Sequence, residues 1–154
     1  MRKALIISLL IPLAVGGLAA WLTMDSMAQF AALAQPPLSP PGWVFPVVWT
    51  ILYLLMGWAS FLIWKSGASQ TAKRRALGLY GVQLAVNFVW PLLFFRAGLY
   101  GGALVWLVIL LVLVAETMLA FGRIDRRAAW LLAPYLLWLL FAAYLNAGVW
   151  LLNR

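Results

Sequence analysis

The residues of this sequence best suited to chemistry are two amides and two aromatic rings at helical spacing. Gln83, Asn87, Trp90 and Phe94 follow one another at intervals of four, three and four residues, so they share one face of a helix. Amides donate and accept hydrogen bonds, and aromatic rings offer flat apolar surface, so this face suits non-covalent binding of a flat molecule. The alternative is that the amides only hydrogen-bond to neighbouring helices, because an amide facing lipid is costly. In both cases the face is predicted to point into a helix bundle.

Two other apolar stretches combine a tryptophan with polar or small neighbours. Trp138, Ala142 and Asn146 recur every four residues, and Tyr53 follows Trp49 by four. Ala142 leaves room beside the Trp138 indole, and Asn146 adds a donor and an acceptor one turn further. The sequence therefore predicts one cavity lined by three helices. Its predicted ligand-binding residues are Trp49, Tyr53, Gln83, Asn87, Trp90, Phe94, Trp138, Ala142 and Asn146.

Metal-dependent and covalent chemistry have almost no candidate residues. The sequence contains no cysteine and no histidine, and its only acidic residues are Asp25, Glu116 and Asp125. A histidine–carboxylate metal site, a thiolate-ligated haem and a Ser–His–Asp hydrolase are therefore excluded within this chain, and neither metal nor cofactor is expected. Glu116 lies within an apolar stretch, where a carboxylate is a functional hypothesis by default. The simpler alternative is that it reaches toward a loop arginine such as Arg123.

The elements that position these residues are predicted to be membrane-spanning helices. The chain is 67% hydrophobic and 9% charged, which excludes an ordinary soluble domain. A helix needs about 20 mostly apolar residues to cross the hydrocarbon core, and in lipid its backbone groups have to be satisfied within the segment. We therefore predict an all-α integral membrane protein, a five-transmembrane-helix bundle that forms a single domain over residues 1–154. The predicted spans are Leu5–Met24, Trp43–Trp64, Ala76–Phe95, Leu99–Phe121 and Ala128–Leu152. The tryptophans near span ends are interpreted as interfacial anchors, namely Trp21, Trp43, Trp64 and Trp150.

The basic residues predict the orientation of the bundle. Successive connections between the five spans lie on alternate sides of the membrane. Of the 11 lysines and arginines, only Arg96 and Arg154 fall on the same side as the C-terminus. Positive charge concentrates in cytoplasmic loops, so the N-terminus is predicted to be cytoplasmic and the C-terminus external. This asymmetry accounts for the net charge of +8 without a nucleic-acid partner. The remaining basic residues are Arg2, Lys3, Lys65, Lys73, Arg74, Arg75, Arg123, Arg126 and Arg127.

The beginning of the chain also has features of a signal peptide. Arg2 and Lys3 precede an apolar stretch, as a signal peptide requires. The stretch is nevertheless about twenty residues long, which is longer than the usual signal core. We therefore expect it to remain as the first span.

Two further features concern the outside of the bundle. The connection Asp25–Gly42 carries no lysine or arginine and ends in a proline-rich run, so it is either a stiff lid over the outer mouth or a mere connector. Gly81 and Ala85 lie two positions before the amides, on the opposite face of the same helix. A pair of small residues four apart lets two helix backbones approach closely. This pair forms either a packing seam within one subunit or, as we expect, the seam of a homodimer.

Three motifs, in order along essentially the whole chain, resemble the translocator protein family, also called tryptophan-rich sensory proteins or peripheral benzodiazepine receptors. They are Pro40–Tyr53, Gly78–Pro91 and Pro134–Trp138. The resemblance implies a usually dimeric five-helix bundle with a pocket beneath the first loop. It also implies binding of porphyrins such as protoporphyrin IX, of cholesterol in animals and of isoquinoline-type drugs, and some bacterial members promote light-dependent degradation of protoporphyrin. By position, the family's pocket residues match Trp49, Asn87, Trp90, Trp138 and Ala142, and the pair implicated in porphyrin breakdown matches Trp49 and Trp138.

The sequence departs from this family in the first loop and in the last span. The family often has Trp-Tyr where this chain has Gln29-Phe30, and Lys-Pro-x-Trp where this chain has Gln35–Leu38. The predicted lid thus lacks a cation, and Arg96 remains for the propionates of a porphyrin. The weak cholesterol motif of the last span is missing, because Ala147 and Leu151 occupy its tyrosine and arginine positions.

The sequence and the resemblance together predict a membrane-embedded binding or sensory protein for flat apolar ligands, most specifically tetrapyrroles such as protoporphyrin IX. The absence of histidine favours a free-base porphyrin over an axially ligated haem. Two alternatives stay open: a light-dependent porphyrin-degrading enzyme that uses Trp49 and Trp138, and a transporter of porphyrin- or sterol-like molecules. The expected location is a bacterial cell membrane.

Overall fold

The computed structural model describes residues 1–154, which form helices and no β-strands. Five helices are long and apolar enough to cross a membrane, and this confirms the predicted all-α five-span bundle. The short α2 belongs to the first connection, so the spans are the other five helices. The α-helices are α1 (Arg2–Thr23), α2 (Met27–Ala31), α3 (Val44–Lys65), α4 (Gln70–Pro91), α5 (Tyr100–Ile124) and α6 (Arg126–Leu152).

The helix α4 begins six residues before the predicted third span. The Ser69 side chain accepts a hydrogen bond from the Ala72 backbone N–H at 3.2 Å, which is the usual cap for the first turn of a helix. Hydropathy marks where a helix enters lipid, whereas the cap marks where the helix starts. The connection of residues 65–75 between the predicted second and third spans is consequently reduced to the turn 66–69. Lys65 ends α3, and Lys73, Arg74 and Arg75 lie in the first two turns of α4.

The other end of α4 changes geometry at Pro91. A π-helical turn, Leu92–Arg96, follows the proline, and the Ala97 N–H donates to the Leu92 carbonyl oxygen at 2.9 Å. Proline has no N–H to continue the α-helical ladder, and single π turns occur as local interruptions of helices. The prediction that Phe94 shares the face of Trp90 assumes α-helical spacing, and this spacing ends at Pro91, before Phe94.

Most of the packing is between spans that follow one another in the chain, and α3 also packs against α6. The helix α5 contacts α4 and α6, and α3 contacts α1 and α6. A continuous core between α3, α4, α5 and α6 contains fully buried side chains such as Met56, Ile63, Leu110 and Leu132. This core holds the polar faces of α3, α4 and α6 at fixed distances from one another.

Two spans approach each other closely at Gly57. A Cβ atom at this position would lie 2.5 Å from the Ser8 carbonyl oxygen and 2.8 Å from the Leu9 Cα atom. Both atoms belong to the backbone of α1, so no side-chain rotation can relieve the overlap. Only glycine allows α1 and α3 to pack at this distance.

The first connection is fastened to the end of α6. The Asn153 side chain accepts a hydrogen bond from the Ala34 N–H at 3.1 Å and donates to the Ala34 carbonyl oxygen at 2.7 Å. The Tyr144 hydroxyl donates to the Pro37 carbonyl oxygen at 2.6 Å. The proline-rich segment thus has a defined seat against α6 at the end of the bundle opposite the turn 66–69.

Candidate functional site

Four buried polar side chains from three spans form a hydrogen-bonded chain, which we call the polar cluster: Tyr53, Gln83, Asn87 and Tyr135. The Tyr53 hydroxyl donates to Asn87 Oδ1, and Asn87 Nδ2 donates to the Tyr135 hydroxyl oxygen, both at 2.8 Å. The Tyr135 hydroxyl in turn donates to Gln83 Oε1 at 2.8 Å. The two amides of α4 therefore point into the bundle, as predicted.

The centre of the polar cluster is Tyr135, which was not among the predicted site residues. Its side chain is 1% exposed, and its hydroxyl bonds to both amides of α4. Two sequence signals point to it: Tyr135 precedes Trp138 by three residues and Ala142 by seven, so it shares their face of α6, and a buried tyrosine hydroxyl needs a partner. Since each of its bonds satisfies a buried amide, the cluster ties α3, α4 and α6 together.

The predicted aromatic residue of α3 borders this cluster. The Trp49 indole stacks on the Tyr53 ring with centroids 5.4 Å apart, and it meets the Tyr135 ring edge to face at 6.2 Å. Trp49 is half-buried, whereas Tyr53 is buried. The structure therefore brings Trp49, Tyr53, Gln83 and Asn87 together as one group.

Three other predicted residues form a second group nearer to the first loop. Trp90 Nε1 donates to Asn146 Oδ1 at 3.1 Å, and Asn146 Nδ2 donates to the Tyr100 carbonyl oxygen at 2.8 Å. The Trp90 and Phe94 rings stack at 5.1 Å in spite of the π turn between them. Phe30, from the first connection, packs on Phe94 at 5.6 Å, so this loop-end group lies directly beneath the loop.

The structure places Trp138 apart from both groups. Its aromatic neighbours are Phe45 at 5.9 Å and Phe141 at 5.5 Å, and Ala142 is buried in the main core. Trp138 lines an open apolar groove of about 410 Å³ between α3 and α6. The residues of this α3–α6 groove are Val48, Ile51, Leu52, Pro134, Leu137, Trp138 and Phe141.

Three buried polar atoms of the bundle form no hydrogen bond of normal length and angle within the protein. They are the Tyr80 hydroxyl, Gln83 Nε2 and Trp138 Nε1. Buried donors are normally paired, and leaving one unpaired costs about 1–3 kcal/mol. Two of the three belong to residues of the predicted site, so the site has hydrogen-bonding capacity that the protein does not use.

The remaining features singled out in the sequence lie on the outside of the bundle. Gly81 and Ala85 are exposed on α4, on the side away from the polar cluster. Glu116 is exposed on α5 and forms no salt bridge with Arg123. The one salt bridge in the structure joins Arg127 and Asp125 at 2.8 Å. The chemistry of the site thus rests on neutral groups: amides, tyrosine hydroxyls and indoles.

The fold and the site define a five-span integral membrane protein whose helices enclose a neutral hydrogen-bonded cluster walled by aromatic rings. Comparisons with known proteins agree with this class. The model of the TspO/MBR family matches residues 8–151, and this chain belongs to that family.

Similar proteins come from animals and from archaea. The chain is 42% identical to the translocator protein of Ovis aries over 131 residues, which are 84% of this chain and 78% of that protein. The identity to the translocator protein of Homo sapiens is also 42%, over 82% of this chain and 75% of that protein. The tryptophan-rich protein TspO of Archaeoglobus fulgidus is 34% identical over 97% of this chain and 96% of its own length. The match therefore extends over nearly the whole bundle.

Proposed function

We propose that this protein binds a flat apolar ligand that carries hydrogen-bond acceptors, and that the ligand class is the tetrapyrroles, with protoporphyrin IX as its representative. The observation that carries the proposal is the set of unpaired donors. Gln83 Nε2 and Trp138 Nε1 are N–H donors without a partner in the protein. An acceptor on a ligand in the α3–α6 groove would lie beside Trp138 and would remove the cost of leaving its N–H unpaired.

The shape and polarity of the surroundings support the same ligand class. Apolar side chains line the α3–α6 groove beside Trp138, and Trp49 and Trp90 offer stacking surfaces in the two other groups. Ligand sites in proteins are mostly apolar with a few placed polar groups. Arg96, exposed near the loop-end group, supplies a cation for a carboxylate of the ligand.

Protoporphyrin IX titrated into the purified protein, in the dark and under illumination, tests the proposal. We expect saturable quenching of the tryptophan fluorescence in the dark, because the ligand would lie against indole rings. Quenching in the dark without loss of porphyrin absorbance in the light indicates a binding protein, whereas protein-dependent bleaching indicates a porphyrin-degrading enzyme. The absence of saturable quenching would contradict the proposal.

We also propose that the protein is a homodimer sealed partly by Gly81 and Ala85. A Cβ atom added at Gly81 would meet nothing within 4 Å, so this surface is free to receive a second helix. We expect Ala85→Phe to shift the protein from dimer to monomer in mild detergent, measured by light scattering. Leu119→Phe, which adds a ring to the exposed surface of α5, is the control and should keep the dimer. A dimer that persists in Ala85→Phe would place the interface elsewhere.

The basic residues lead us to propose a cytoplasmic N-terminus and an external C-terminus. Fusions of green fluorescent protein and alkaline phosphatase to the C-terminus measure its location directly. We expect an active phosphatase and a dark fluorescent protein in bacterial cells. The reverse pattern would overturn the proposed orientation.

A further inference from the structure

The end of the bundle opposite the first loop carries a basic recess of about 490 Å³, formed where α3 ends and α4 begins. The recess is lined by Trp64, Gln70, Lys73, Arg74 and Leu77. Trp64 is 52% exposed, so its indole presents an apolar surface to the recess. The lining therefore combines two cations and an amide with an apolar wall.

Local contacts fix the shape of the recess. Lys73 Nζ donates to the Trp64 carbonyl oxygen at 3.0 Å, so the ammonium group caps the end of α3. An ammonium group has three donors, and this bond uses one of them. The Phe61 and Trp64 rings stack with centroids 6.4 Å apart, and Lys65 Nζ lies 5.6 Å from the Phe61 ring centroid. Lys73 and the aromatic wall are thus held in place beside the open space.

No carboxylate neutralises this recess. The one acidic residue at this end is Asp125, and Arg127 already pairs with it at 2.8 Å. The hydrogen bond from Arg127 lowers the pKa of Asp125, and the positive charge of Lys65 contributes to the same shift. Lys65, at the end of α3, is therefore close enough to Asp125, between α5 and α6, for the two charges to interact. The local field stays positive because Arg74 and Arg75 have no salt-bridge partner.

We propose that the basic recess binds the headgroup of an anionic phospholipid from the leaflet that surrounds this end of the bundle. The phosphate would accept hydrogen bonds from Lys73, Arg74 and Gln70, while an acyl chain would lie along Trp64 and Leu77. Basic pockets at the ends of transmembrane helices suit anionic headgroups, and phosphate favours such charge-assisted donors. A lipid satisfies both parts of the lining, the cations and the apolar wall, whereas a free anion satisfies only the first.

Native mass spectrometry of the purified chain tests this proposal by counting bound lipid. The probes are dioleoyl phosphatidylglycerol, dioleoyl phosphatidylcholine and inorganic phosphate at equal concentrations. We expect one phosphatidylglycerol adduct of high affinity. Removing both recess cations in Lys73→Gln/Arg74→Gln should weaken it by roughly tenfold or more, since the variant loses the charge-assisted hydrogen bonds from the recess to the phosphate.

The matched control is Arg123→Gln/Arg126→Gln, which removes two exposed charges from the same end of the bundle but outside the recess. We expect this variant to bind phosphatidylglycerol within about twofold of the parent, because neither arginine lines the recess. If the two double variants lost the same affinity for phosphatidylglycerol, the binding would come from the positive charge of this end as a whole and not from the recess. Equal binding of phosphatidylcholine, or displacement of the adduct by inorganic phosphate, would also overturn the proposal.

Discussion

Trp49→Ala is expected to weaken the binding of protoporphyrin IX by roughly tenfold or more, because truncating an aromatic anchor that a ligand covers typically costs about 2 kcal/mol or more. Trp49 has a further role, since its indole covers the Tyr53 ring, whose hydroxyl donates to Asn87. Trp138→Ala is expected to have a comparable effect through the α3–α6 groove. The dissociation constants come from quenching of the tryptophan fluorescence by protoporphyrin, followed by absorbance under illumination.

Phenylalanine variants separate binding from chemistry at the same positions. Trp49→Phe and Trp138→Phe keep a flat ring, so part of the affinity should remain. If the porphyrin is degraded, both should lose that activity, because an indole is far easier to oxidise than a benzene ring. Trp21→Phe, at an exposed position near the end of α1, is the control and should alter neither property. Parental binding and bleaching in Trp138→Ala would show that the α3–α6 groove is only a surface of the bundle.

Gly57→Val is expected to lower the free energy of unfolding by about 3 kcal/mol or more, the upper part of the range for overpacking. The added atoms would overlap the Ser8 carbonyl oxygen and the Leu9 Cα atom, so α1 would have to move away from α3. Even Gly57→Ala should destabilise, although alanine favours helix by about 1 kcal/mol over glycine. Thermal unfolding in detergent, followed by circular dichroism, measures both variants.

Gly17→Ala is the control for the effect of helix propensity alone. Gly17 lies in α1 and has nothing within 4 Å of an added Cβ. We expect its melting temperature to stay the same or to rise slightly. If Gly57→Ala were as stable as Gly17→Ala, α1 and α3 would not approach each other as closely as the structure shows.

The arrangement of spans was predictable because hydropathy and length are properties of single segments. The direction of the polar face of α4 was also predictable, because Gln83 and Asn87 are costly anywhere but inside the bundle. The start of α4 was misplaced by six residues, since apolar content marks the lipid boundary and the Ser69 cap lies outside it.

What the sequence did not predict depends on contacts between distant segments. Helical spacing places Tyr135 on the face of Trp138 and Ala142, but its bonds to Asn87 and Gln83 depend on the relative rotation of α4 and α6, which the sequence of either helix does not specify. Asn153 pairs with Ala34 across 119 positions of the chain, and no periodicity links them. Trp138 has the spacing of a pocket residue, yet its aromatic contacts are with Phe45 and Phe141.

The neutrality of the polar cluster has a consequence for the acidity of the medium. Its groups are amides and phenols, and histidine, the side chain that ordinarily titrates between pH 5 and 8, does not occur in the chain. The charge state of the binding groups is therefore constant over that interval. A change in affinity between pH 5 and 8 would therefore report the ionisation of the ligand's own carboxyl groups and ring nitrogens, so the slope of affinity against pH counts the protons that the ligand gains or loses on entering the bundle.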